Sequence, residues 1–66
     1  MKLYYIDIEK TVFGENEVHE EGCYRLPKKE KMKYIGNFAS CHTAVKRARK
    51  QFEDAVGCYF CTGQCS

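Results

Sequence analysis

Sixty-six residues, 44% apolar and 14% aromatic, are read as one domain over 1–66, too rich in core formers for disorder and near the lower size limit for unaided folding. A formal net charge of +2 is small for a dedicated polyanion binder, and no apolar run is long enough for a membrane helix. At this length burial and chain entropy nearly cancel, so a disulfide, a metal, a partner or unusually good packing is expected to tip the balance.

Taken in chain order, "LYYIDIE" over residues 3–9 alternates, with Tyr4, Ile6 and Ile8 on one side and Leu3, Tyr5, Asp7 and Glu9 on the other. Such a period of two, in β-branched and aromatic residues, predicts a strand. Gly14 and Asn16 supply a turn, and "EVHE" returns as a short second strand. "EGCYRLPKKEK" reads as an irregular link, because Pro27 and the lysines disfavour regular structure. "MKYIGNF", residues 32–38, alternates again and predicts a further strand.

A helix follows in "NFASCHTAVKRARKQFED". Ser40 is placed to accept a hydrogen bond from a free first-turn N–H. Cys41, Ala44, Val45, Ala48 and Phe52 then fall on one apolar stripe, while Lys46, Arg47, Arg49 and Lys50 point mostly away from it. Gly57 suits a chain reversal after the helix. The expected fold class is α+β: a small antiparallel sheet of about three strands with one helix packed on it.

The N-terminus carries acids and no apolar h-region, so it does not read as a signal peptide, and a cytoplasmic location is expected. In that setting five cysteines, an odd count, are expected to be thiols or metal ligands rather than disulfides. Cys58 and Cys61 form C-x-x-C, a spacing that lets two thiolates meet one tetrahedral ion from a single turn. His19 and Cys23, in "HEEGC", offer a second closely spaced pair at the end of a predicted strand. A packed thiol core is the plainer alternative, since free Cys behaves as a small hydrophobe and "YF" lies between Cys58 and Cys61. Redox chemistry is a third reading. It is disfavoured because the C-x-x-C follows the predicted helix instead of opening one. Cys41 reads as core, His42 as a first-turn surface residue, and Cys65 as a spare thiol or substitute ligand.

The order "VHEEGC", "IGNFAS", "SCHTAVKRA", "GCYFC" resembles the small metal-binding domain of the bacterial Ada DNA-repair protein. It is also similar to short bacterial proteins with a "VH…GC…GxF…GCxxC" plan. The resemblance covers roughly residues 17–61 and implies one zinc ion held by His19, Cys23, Cys58 and Cys61. In the Ada domain four cysteines bind the zinc, and the first accepts a methyl group from DNA phosphotriesters. His19 stands at that position here. Imidazole binds zinc but is not the thiolate that alkyl transfer requires.

Charge is segregated along the chain. Residues 22–52 carry nine bases against the single acid Glu30, whereas residues 1–21 carry six acids against two bases. Lys46, Arg47, Arg49 and Lys50, with the "RLPKKEKMK" link and Tyr24 and Tyr34 for stacking, are the candidate contacts for a nucleic acid. The expectation is a zinc-stabilised binding or accessory module that is not an enzyme, serving a protein or nucleic-acid partner. No small-molecule substrate and no membrane partner are expected. The alternatives are a nucleic-acid-binding module and a metal-free, thiol-rich packed domain.

Overall fold

A computed structural model describes residues 1–61 of the chain. The elements are β1 (Lys2–Asp7), β2 (Asn16–Glu20), a 3-10 turn (Lys29–Lys31), β3 (Met32–Phe38), α1 (Cys41–Ala48) and β4 (Ala55–Gly57). The strands form one sheet in the order β3-β1-β2-β4. β1 pairs antiparallel with both β2 and β3, while β4 lies parallel to β2. The α+β class expected from the pattern is the one observed, with a mixed four-stranded sheet in place of a three-stranded antiparallel one. Helix α1 connects β3 at one edge to β4 at the other and so crosses one face of the sheet.

The reason for this arrangement is the alternation in β1 and β2. Tyr4, Ile6 and Val18 face α1 and are buried against its Cys41, Ala44, Val45 and Ala48. Ile6 and Val18 are fully buried, and each such side chain contributes about 1.5–3 kcal/mol. The small alanines allow the close approach. Ser40 caps α1 as its sequence position suggests, its hydroxyl accepting from Thr43 N. The helix ends at Ala48, and the chain tightens through turns in which Gln51 N and Phe52 N both donate to Ala48 O. Phe52 therefore reaches the core from beyond the helix. Ile8 lies past the end of β1 and is exposed.

Two polar details hold the hairpin and the crossover. Asn16 is buried, and its side-chain amide donates to Asp7 O and Ile8 O, tying the start of β2 to the end of β1. Gly57 is the last residue of β4, not a reversal. Its pairing with Val18 is followed by Cys58 N donating to Val18 O at 2.9 Å.

Gly36 marks an irregularity. The β1–β3 register shifts between Tyr4 and Tyr5, so that Tyr4 pairs with Gly36 but Tyr5 pairs with Tyr34. Gly36 has φ 155°, and a Cβ there would stand 2.8 Å from the Phe38 ring. Phe38 also packs on the Tyr4 ring at a centroid distance of 6.2 Å. Gly36→Ala is expected to destabilise the fold by about 1–3 kcal/mol, read as a lower denaturation midpoint at constant m-value. A shift below about 0.5 kcal/mol, the range of inert surface changes, would mean that neither the backbone nor the ring is constrained there.

Candidate metal centre

Strand alternation sends His19 to the face of the sheet opposite Val18 and the helix. The turn that follows is closed by Cys23 N donating to Glu20 O, with Gly22 at φ 84° in the position where a positive φ is needed. This reversal brings Cys23 Sγ within 3.7 Å of His19 Nδ1. The second pair arrives from the other direction. β4, lying beside β2, delivers Cys58 directly after the Val18 pairing. The following turn then places Cys61 Sγ 4.0 Å from His19 Nδ1 and 3.5 Å from Glu20 N.

The ligand-type atoms of His19, Cys23, Cys58 and Cys61 all lie within 4.8 Å of one another. A tetrahedral zinc with Zn–S near 2.3 Å and Zn–N near 2.0 Å separates its ligand atoms by roughly 3.5–3.8 Å, so the group needs to contract by no more than about 1 Å. His19, Cys23 and Cys58 are buried and Cys61 is half-buried. None of the four belongs to the apolar cluster beneath α1. The molecule thus has an apolar core on one face of its sheet and a sulfur–imidazole cluster on the other.

The electrostatics favour the neutral forms of His19 and Cys61. Burial pushes the His19 imidazole below its ordinary pKa and Arg25 adds to this, while Glu17 and Asp7 oppose it. Burial also pushes the Cys61 thiol far above its ordinary value, and the hydrogen bond to Cys23 and the nearness of Cys58 act in the same direction. Neutral imidazole is the ligating form, and a thiol that resists ionising alone gives up its proton when it binds a dication. The other ring nitrogen, His19 Nε2, faces Glu17 Oε1 at 3.9 Å. At that distance Glu17 is a charge neighbour behind the imidazole rather than its hydrogen-bond acceptor, and Nδ1 is the nitrogen that faces the sulfurs.

Cys23, Cys58 and Cys61 are not joined in disulfides. Tyr59 and Phe60, which lie between the two cysteines of the C-x-x-C, are exposed, at 78% and 54%. Outside the cluster Phe60 meets Tyr24 edge-on at 5.5 Å, with the Arg25 guanidinium 4.8 Å from its ring centroid. These contacts bridge the two chain segments that carry the ligands, and no spacing rule in the sequence points to them. Cys41 is buried in the apolar core but is disulfide-bonded, against the expectation that the cysteines are thiols or metal ligands, and His42 is exposed. Cys65 lies outside the described residues.

The basic residues are on the opposite side of the sheet from the cluster. Lys46, Arg47, Arg49 and Lys50 are all exposed. Arg49 Nε donates to Ala55 O at 2.9 Å, fastening the end of α1 to β4. Tyr34 packs with Tyr5 at 5.6 Å. Among the described residues no helix is long and apolar enough to cross a membrane.

Compared with protein-family models, with curated proteins and with solved structures, the chain finds no match. The functional reading therefore rests on the cluster and its surroundings.

Proposed function

We propose that the protein is a zinc-stabilised binding or accessory module, in which one zinc ion held by His19, Cys23, Cys58 and Cys61 joins the β2 turn to the segment after β4. The observation that carries this is the convergence of four buried or half-buried sulfur and imidazole donors within 4.8 Å. Three sulfurs and one imidazole suit zinc by softness and by coordination number. Four protein ligands also close the coordination sphere, which is the pattern of a structural site rather than a catalytic one. The resemblance to the Ada metal-binding domain and the short bacterial proteins of similar plan implies the same four residues as ligands. With His19 where that domain has its acceptor thiolate, the role proposed is to bind rather than to transfer alkyl groups, in the cytoplasm.

Elemental analysis tests this directly. Protein purified from zinc-supplemented cells is expected to contain about one zinc per chain, and the cobalt-substituted form should show the intense visible absorption of tetrahedral thiolate coordination. A folded sample with no zinc, produced with zinc available, overturns the reading.

A further inference from the structure

On the helix face of the sheet, away from the proposed metal centre, two cavities run side by side along α1. One, of about 370 Å³, lies between β3 and the end of the helix, and Lys33, Arg47, Lys50 and Gln51 are among its walls. The other, of about 240 Å³, is lined by Phe38, Thr43, Lys46, Arg47 and Lys50. Arg47 and Lys50 border both, so the cavities form one groove which, among the described residues, has four cationic side chains and no acid on its walls.

These cations differ from three of the other lysines, and Lys28 and Lys29, which among the described residues also lack an acidic partner, border neither cavity. Lys2, Lys10 and Lys31 pair with Glu20, Asp54 and Glu9. Among the described residues, Lys46, Arg47 and Lys50 have no acidic partner, and Lys33 Nζ donates to the neutral Gln51 Oε1 at 3.0 Å. No acid occurs between Glu30 and Glu53. Cations in the last turn of a helix are favoured by its dipole, which accounts for Lys46 and Arg47. It does not account for Lys33, which comes from β3, nor for the exclusion of acids from both elements.

We propose that this groove binds the phosphate backbone of a single-stranded nucleic acid, with Lys33, Lys46, Arg47 and Lys50 as the phosphate contacts. Two adjoining cavities, rather than one closed pocket, favour a strand over a small anion. Lys46 and Arg47 reach the groove from the last turn of α1, Lys50 from just beyond it and Lys33 from β3, so the cations approach from two elements. Phe38 borders one cavity and Phe52 the other, offering aromatic edges to bases as single-strand grooves do. Arg49, bonded to Ala55 O, stands outside the contact set and belongs to the scaffold.

The test is fluorescence anisotropy of a labelled 15-nucleotide strand titrated with zinc-loaded, full-length protein at low salt. Binding is expected to weaken with a log–log salt slope of about −2 to −3, as for three to four neutralised phosphates on a single strand. The exposed triple variant K33Q/R47Q/K50Q is expected to lose at least about tenfold in affinity. The variant K2Q/K10Q/K31Q, which removes the same charge from paired lysines, should stay within about twofold, since surface pairs of this kind contribute little. Equal losses in the two variants, no binding at low salt, or equal competition by poly-glutamate or by a mononucleotide would each overturn the proposal. None of these outcomes bears on the zinc content, so the two readings fail separately.

Discussion

Addition of a strong chelator to the zinc-loaded protein is expected to lower its Tm by at least about 15 °C, or to abolish the cooperative transition altogether. The size follows from what the cluster replaces. On the helix side, Tyr4, Ile6, Val18 and the α1 residues form an ordinary apolar core. On the opposite side His19, Cys23 and Cys58 are buried among one another, and buried polar groups stabilise a fold only when their bonding is satisfied. Structural zinc sites contribute on the order of 10 kcal/mol to folding, while a domain of this size has only about 5 kcal/mol in total. Differential scanning fluorimetry with and without chelator, followed by re-addition of zinc, reads the effect. A Tm that ignores chelator, in protein shown to have lost its metal, would make the cluster a packed thiol group.

The second large effect is expected from the ligands themselves. Cys58→Ser should weaken zinc binding by at least about a hundredfold, because removing an outer partner alone costs 10- to 100-fold and Cys58 is a direct ligand. It also leaves a hydroxyl at a position that is fully buried. His19→Cys should behave differently. Nδ1, the ring nitrogen that faces Cys23 and Cys61, stands only one bond further from Cβ than a cysteine sulfur does. A thiolate at residue 19 therefore reaches nearly the same point and retains the ion in an all-sulfur site. His19→Ala, which offers no donor, should match Cys58→Ser. Competition against a chromophoric zinc chelator measures all three. Equal affinity of His19→Ala and wild type would remove His19 from the ligand set.

Much of this architecture was legible because short-range rules determine it. The alternation in residues 32–38 marks β3 over the same bounds as the structure, and Ser40 marks the start of α1. The four candidate ligands were legible as two closely spaced pairs, and the fold brings both to one point. β4 was not. Three residues carry no measurable period, and Gly57 reads locally as a turn until the pairing with Val18 places it in a strand. Nor was the division of the basic residues. Arg49 is spaced like its neighbours, and only the position of the Ala55 carbonyl separates it from the groove. Lys33 joins that groove because β3 is an edge strand next to the helix end, a relation between distant segments that composition cannot express.

The parallel pairing of β2 with β4 also determines the order in which the centre is assembled. His19 and Cys23 are brought together by one local turn, an event that hairpin-like segments complete within microseconds. Cys58 and Cys61 reach them only after the chain has traversed β3 and α1 and docked β4 on the far side of β2. Such long-range closure is the slow part of small-domain folding. An ion captured early would sit on half a coordination sphere, free to exchange, until that docking completes the set. Metal retention would then report on how often β4 leaves the sheet edge, so that zinc off-rate becomes a clock for the local opening of this strand.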